Sequence, residues 1–134
     1  MFDYTEEIRK QSAFVKLLGL SIEKLKNGFC QSKLQIREEF LNKRKIVHGG
    51  VIYSMVDISM GVAVYSTLKK GEETATIEIK INYLKPANKK VLDCEAKVIQ
   101  RGKQIAVIEA DIKSDDIMIA KAIGTFSIIK PGVQ

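Results

Sequence analysis

Residues 48–68 read H-G-G-V-I-Y-S-M-V-D-I-S-M-G-V-A-V-Y-S-T-L, and the architecture of the chain follows from them. From Val51 onward almost every residue is apolar or small, and Lys69-Lys70-Gly71 then supplies a good helix stop. The length of this run and its alanine, methionine and leucine content favour a helix over a strand. A helix that is apolar on nearly every side belongs in a protein interior, so we predict a buried central helix over residues 51–68.

Shorter runs of alternating apolar and polar residues flank this helix on both sides. Upstream, Asn27-Gly28 joins two of them, and Asn-Gly is a strong hairpin signal because both residues tolerate positive φ. After the helix, we expect the odd-numbered side chains from Ile77 to Tyr83 on one strand face and the even-numbered ones from Thr76 to Asn82 on the other. The predicted strands are residues 20–26, 29–37, 76–84, 91–100, 104–113 and 117–129, and a further helix is predicted over residues 4–18.

A single helix in the interior requires a sheet that wraps around it. We therefore predict an α+β fold in which a curved antiparallel sheet surrounds one long central helix, with an extra N-terminal helix. No linker or repeat divides the chain, so residues 1–134 are predicted to form one domain. The sheet would have open edges, and several strands are apolar on both faces, so we expect at least a dimer.

The composition restricts the class of partner and the compartment. The chain has 134 residues and a formal net charge of +6, which favours an anionic partner, either nucleic acid or a phosphorylated small molecule. Charged side chains occupy the positions where a signal peptide would be apolar. The two cysteines, Cys30 and Cys94, do not make a disulfide framework. We therefore expect a cytoplasmic protein that does not bind a membrane.

Asp57 is the most informative residue of the predicted helix. It lies among Met55, Val56 and Ile58, with no lysine or arginine within a turn to pair with it. Burying an unpaired carboxylate is costly, so its position needs a reason. A catalytic role is one interpretation, and a position at a subunit interface or on an exposed stripe of the helix is the other.

Gly49 and Gly50 stand at the predicted start of the same helix. Glycines at this position leave backbone N–H groups uncovered, and the helix dipole favours an anion or a developing oxyanion there. An oxyanion donor and a carboxylate are the minimum for acyl transfer. The sequence contains no nucleophile elbow, no zinc-ligand spacing, no phosphate loop and no dinucleotide fingerprint, and His48 is its only histidine. Carboxylate chemistry with a backbone oxyanion hole is what remains of the familiar mechanisms.

Residues 42–57, N-K-R-K-I-V-H-G-G-V-I-Y-S-M-V-D, resemble the hotdog-fold thioesterases related to the phenylacetate-pathway enzyme. In that family an asparagine precedes His-Gly-Gly at the helix start, and an aspartate follows within the helix. Residues 76–87, T-I-E-I-K-I-N-Y-L-K-P-A, look like the family's first strand after the helix, and G-T-F at residues 124–126 resembles its closing strand. The resemblance covers about residues 15–129 and implies a hotdog fold and acyl-CoA thioesterase activity.

The resemblance also implies a role for each matching position. Asp57 would act as general base or nucleophile, and the Gly49 N–H would hold the thioester carbonyl. Asn42 would polarise that carbonyl or orient the carboxylate, His48 would brace the loop, and Thr76 would stand near the attacking water. In this family the site lies between subunits, so a homodimer or homotetramer with shared active sites is expected.

The expected substrate is a coenzyme A thioester with an aryl or medium-length acyl group, with no separate cofactor and no metal. Gly50, Tyr53 and Met60 are expected to contact it in or near the acyl pocket. The phosphates of coenzyme A would dock on basic residues at strand ends, which are Lys85, Lys89, Lys90 and Arg101 with Lys103.

Three alternatives compete with a thioesterase. An acyl-CoA-binding hotdog sensor that does not hydrolyse its ligand has no need of Asp57. A hotdog dehydratase uses a histidine–carboxylate pair in another arrangement, whereas His48 precedes the helix. Nucleic-acid binding would rest on the basic loops alone, because the predicted elements offer no aromatic stacking platform. The sequence is compatible with either route for Asp57 and with a dimer or a tetramer.

Overall fold

The computed structural model describes residues 3–88 and 90–131. These residues form three α-helices, six strands and one short 3₁₀ turn at Glu38–Phe40. In chain order the elements are α1 (Tyr4–Gln11), α2 (Ala13–Leu18), β1 (Ser21–Lys26), β2 (Phe29–Gln35), α3 (Gly49–Tyr65), β3 (Glu73–Tyr83), β4 (Val91–Arg101), β5 (Ile105–Ser114) and β6 (Ile117–Ile129).

The six strands form one antiparallel sheet in the order β1-β2-β4-β5-β6-β3. The long helix α3 packs against this sheet and contacts all six strands. The predicted architecture, an antiparallel sheet around one central helix, is confirmed. Asn27 and Gly28 both have positive φ and form the predicted hairpin turn between β1 and β2.

The helix α3 buries one face rather than all of its surface. Its buried residues recur at helical spacing and are Ile52, Met55, Val56, Ser59, Met60, Ala63 and Val64. The other side is half-buried and includes Asp57 and Gly61. The prediction of a helix buried on nearly every side was therefore too strong. The carboxylate lies on the less buried side, where its desolvation is incomplete.

Residues 4–18 form two helices instead of the predicted single one. Ser12 has extended backbone angles, φ −139° and ψ 111°, and separates α1 from α2. Its hydroxyl accepts a hydrogen bond from the Val15 N–H at 3.2 Å, which is the N-cap contact that starts a new helix. The side-chain cap thus competes with continuation of α1, and Gly19 in the left-handed region ends α2.

A β-bulge in β3 changes which side chains face the helix. Thr76 pairs with Phe126 and Glu78 pairs with Thr125, so Ile77 is the extra residue. Phe126 is buried on the inner face of β6, and its partner Thr76 therefore also faces α3. The prediction that Thr76 shares a face with Glu78 was wrong, because strict alternation takes no account of a bulge.

Among the described residues, no helix is both long enough and apolar enough to cross a membrane.

Candidate active site

The carboxylate of Asp57 is hydrogen-bonded to the strand opposite it. The Thr76 hydroxyl donates to Asp57 Oδ1 at 2.7 Å, which joins the half-buried side of α3 to the inner face of β3. Two residues of the predicted site, 19 positions apart in the chain, are thus brought into direct contact. The bond fixes the orientation of the carboxylate and leaves Oδ2 for a reacting group.

The start of α3 presents unsatisfied backbone donors. The N–H groups of Val51 and Ile52 donate to the His48 carbonyl at 3.1 and 3.4 Å. Gly49 and Gly50, as the first two residues of the helix, have no carbonyl in a preceding turn of the helix to bind. The side chain of the N-cap residue His48 makes no capping hydrogen bond. This helix end can therefore donate hydrogen bonds to an oxyanion.

Tyr83 covers Gly49 and was not singled out from the sequence. Its hydroxyl donates to the Gly49 carbonyl at 2.9 Å, and a Cβ at Gly49 would stand 3.2 Å from the Tyr83 ring. A side chain at this position would therefore have to displace the Tyr83 ring by a few tenths of an ångström, whereas the backbone φ of Gly49 does not require glycine. Desolvation by burial, with a smaller effect of neighbouring Tyr53, raises the pKa of Tyr83. The only feature of the sequence that could have pointed to Tyr83 is that it is an aromatic residue at the end of a predicted strand.

The loop before α3 is held by Asn42 and by the backbone of His48. Asn42 Oδ1 accepts hydrogen bonds from the N–H groups of Arg44 at 2.8 Å and Ile46 at 3.4 Å. The side-chain carbonyl therefore stabilises the turn of the loop. The His48 N–H donates to the Phe40 carbonyl at 2.9 Å, while its side chain is exposed. Asn42 and Gly49 line one cavity of about 420 Å³. Asn42 Nδ2 has no hydrogen-bond partner within the described residues, so this part of the side chain can donate a hydrogen bond to a substrate.

The residues predicted to contact the acyl group lie in different environments. Met60 is fully buried, and the ideal Cβ position at Gly124 is only 2.9 Å from its sulfur, so Met60 belongs to the core of this chain. Tyr53 is half-buried beside Tyr83, and Gly50 is exposed with no atom within 4 Å of an added Cβ.

The predicted basic cluster is divided between two ends of the sheet. Lys85 lines the cavity beside Gly49, and Lys90 directly precedes β4. Arg101 ends β4, and at 3.3 Å per residue it lies about 36 Å from Lys90 along an extended strand. The Arg101 guanidinium forms a salt bridge with Glu72, so its charge is already balanced by a carboxylate of the same chain. Lys103 lines a separate cavity with Arg101, and Lys89 lies outside the described residues.

One chain does not bring the carboxylate and the oxyanion donor together. Gly49 and Asp57 are eight residues apart in the same helix, which corresponds to about 12 Å along its axis. Reacting groups must approach to about 3–3.5 Å. The two groups of one chain therefore cannot act on the same carbonyl carbon and its oxygen.

A family model described as the thioesterase superfamily matches residues 45–121, which include α3, β3, β4, β5 and the start of β6. Among relatives, a Saccharolobus solfataricus protein provisionally named an esterase is 34% identical over 131 residues, covering 96% of this chain and 93% of the relative. The medium/long-chain acyl-CoA thioesterase YigI of Salmonella typhimurium is 27% identical over 131 residues, covering 86% of this chain and 84% of that protein.

A solved structure supports the same grouping. The PaaI protein from the phenylacetic acid degradation operon of E. coli is 25% identical and superposes with a TM-score of 0.86. The superposition covers 92% of this chain and 89% of that one.

Proposed function

Since this chain belongs to the thioesterase superfamily and has the hotdog fold, we propose that it is an acyl-CoA thioesterase that hydrolyses aryl- or medium-chain acyl-CoA to the free acid and coenzyme A. The hydrogen bond from Thr76 to Asp57 at 2.7 Å is the observation that carries the proposal. It holds a carboxylate in a defined orientation on the less buried side of the central helix. The name of the Salmonella relative supports the class of substrate.

The reaction follows from the chemistry of the two groups. Asp57 either takes a proton from water or attacks the carbonyl carbon to form a mixed anhydride that water then opens. The Gly49 N–H donates to the oxygen on which negative charge develops, and Asn42 polarises the same oxygen. Thiolate is a good leaving group, so no strong general acid is needed. Thr76 is a positioning residue that acts through Asp57.

The separation of Gly49 from Asp57 supports a site built by two copies of the chain. We propose that Asp57 and Thr76 of one protomer face the Gly49 N–H of its partner, in a homodimer or a dimer of dimers. The strand β3 carries Thr76 and supports this arrangement because it is long and, within residues 3–88 and 90–131, pairs on one side only, with β6.

Release of free thiol from a panel of acetyl-, octanoyl-, dodecanoyl- and phenylacetyl-CoA tests the activity. We expect turnover by the wild type and a loss of at least about hundredfold in kcat for Asp57→Asn. The asparagine keeps an oxygen for the Thr76 hydroxyl but cannot act as base or nucleophile. Asp111→Asn is the matched control, because this carboxylate pairs with Lys121 on another strand. Binding of acyl-CoA without turnover by the wild type would identify a sensor instead.

A second pair of variants tests the oxyanion donor. Gly49→Pro removes the N–H at the first helical position, where proline is tolerated, and His48 with φ −56° and ψ 138° already has a conformation compatible with a following proline. Gly49→Ala has the same Cβ contact with Tyr83 but keeps the N–H. We expect Gly49→Pro to lower kcat about 10²–10³-fold below Gly49→Ala. Equal activities would exclude the Gly49 N–H as the donor.

A further inference from the structure

A third cavity, of about 490 Å³, lies under the N-terminal helices and is predominantly apolar. Its apolar wall comes from α1, α2, β1 and α3 and includes Ile8, Val15, Ile22, Leu25, Ile58 and Val62. None of the residues proposed to act on the thioester belongs to this wall.

The cavity lies where the two edges of the sheet approach each other. β1 and β3 are at opposite ends of the strand order, yet Ile22 of β1 and Thr74 of β3 line the same space. Residues of α1 and α2 line this space as well. Thr5 holds α1 to β1 by donating to the Ile22 carbonyl at 3.3 Å and accepting from the Ile22 N–H at 2.8 Å. The part of the cavity wall that α1 provides is therefore anchored to the sheet.

The cavity begins about one helical turn beyond the Asp57 carboxylate. Gly61 is one turn after Asp57 on the same side of α3, about 6 Å along the axis. Thr74 precedes Thr76 by two residues on the inner face of β3, about 7 Å along the strand. Asp57 with Thr76 and Gly61 with Thr74 are thus consecutive pairs between the same helix and the same strand. Gly61 and Thr74 line the cavity, so its near end adjoins the proposed reaction centre.

The glycine at position 61 indicates that this space holds a ligand. Gly61 contributes no side chain where α3 passes the cavity, although an added Cβ would make only an ordinary contact with Phe126 at 3.6 Å. The glycine is therefore not required by packing inside the chain.

We propose that this cavity binds the acyl group of the substrate and that Gly61 is the residue that admits long chains. The inference rests on the proposed thioesterase function and adds the class of acyl group, which is an apolar chain of medium length that runs past Gly61 beneath α1 and α2. The N-terminal helices then set the chain-length preference by forming the far wall. A residue larger than glycine at position 61 narrows the passage between the reaction centre and the cavity.

The test is a chain-length profile of kcat/KM from acetyl- to dodecanoyl-CoA for wild type, Gly61→Ala and Gly61→Leu. We expect the preference for long over short chains to fall progressively, by about fourfold for each methylene excluded from the cavity. Gly61→Ala should also raise Tm, because alanine is the better helix former, which shows that the loss is not caused by unfolding. A uniform fall at every chain length would overturn the inference and leave the thioesterase proposal intact.

A change at the far wall tests the opposite direction. Ile8→Ala enlarges the cavity and should move the optimum to longer chains. Leu17→Ala is the matched control, because Leu17 is on the neighbouring helix but is 65% exposed and does not line the cavity. An optimum that is the same in both variants and in wild type would contradict the assignment.

If the wild type hydrolyses no acyl-CoA, the proposed function fails, and binding then decides the inference. Titration calorimetry with decanoyl-CoA and acetyl-CoA would compare wild type with Gly61→Leu. Selective loss of decanoyl-CoA affinity supports the cavity as an acyl site. Equal affinities in the two proteins overturn it.

Discussion

The hydroxyl of Thr76 decides how the carboxylate of Asp57 is presented. Its hydrogen bond to Oδ1 orients the group without the charge neutralisation that a lysine or arginine would cause. A carboxylate held in this way keeps its negative charge available to activate water or to attack a carbonyl carbon. The orientation of the Asp57 carboxylate thus depends on one neutral hydrogen-bond donor, the Thr76 hydroxyl.

Replacing Thr76 by valine should lower kcat about tenfold to hundredfold, because hydrogen bonds to charged groups contribute about 1.5–3 kcal/mol. KM should change less, since Thr76 acts through Asp57. Steady-state kinetics with the best acyl-CoA of the panel provide the measurement. Thr125→Val is the matched control, because Thr125 donates to the carboxylate of Glu78 at 2.9 Å on the outer face of the sheet. Equal losses in both variants would show that Thr76 has only a structural role.

Among the elements, α3 is tied to the sheet by a small buried polar group. Ser59 of α3 and Ser32 of β2 are both buried, and their hydroxyl oxygens are 2.7 Å apart. Cys94 of β4 lies beside them, and desolvation by burial raises the pKa of its thiol to about 12, so it remains neutral. Ser59 is two residues after Asp57, so this contact fixes the rotation of the helix that presents the carboxylate.

A double-mutant cycle on Ser32 and Ser59 measures this anchor. Each single alanine variant should destabilise the fold by about 1–3 kcal/mol, because it leaves the partner hydroxyl buried with one hydrogen bond fewer. The double variant should cost less than the sum of the two singles, by about 0.5–3 kcal/mol. Urea unfolding followed by circular dichroism gives the free energies of unfolding of the wild type and the three variants. Strict additivity would mean that the two hydroxyl groups are not coupled.

At the scale of the whole molecule, the two groups proposed to act on the thioester lie at opposite ends of one helix segment. Within one chain, Gly49 and Asp57 are too far apart to act on one thioester. Among the described strands, β3 is at the edge of the sheet and has a neighbour on one side only. Two copies related by a two-fold axis would place Gly49 of each copy beside Asp57 of the other. In this proposed arrangement, the protein must self-associate in order to be active.

Mixing two inactive variants tests this arrangement. Gly49→Pro and Asp57→Asn destroy different halves of the site, so a heterodimer should contain one intact site and one site with both changes. Random pairing of equal amounts should restore about a quarter of wild-type activity per chain. Co-expression with two affinity tags isolates the mixed dimer for thiol-release assays. A purified heterodimer as inactive as its parents would place the complete site within one chain.

The features that the sequence determined by itself are those that depend on neighbouring residues. The long apolar helix, the hairpin at Asn27-Gly28, and the spacing from His48-Gly49-Gly50 to Asp57 can be recognised without a partner strand, because helix periodicity, turn chemistry and helix-end donors are local properties. The break at Ser12 is also local, but its capping hydroxyl competed with a continuous pattern that favoured one helix.

Only the tertiary structure decided which distant residues meet. The bulge at Ile77 turns Thr76 toward Asp57, the end of β3 lays Tyr83 over Gly49, and the length of β4 separates Lys90 from Arg101. Each depends on strand pairing between segments far apart in the chain, and a shift of one residue reverses the face of every side chain beyond it. Pairing of this kind is set by packing over the whole sheet, which no local pattern contains.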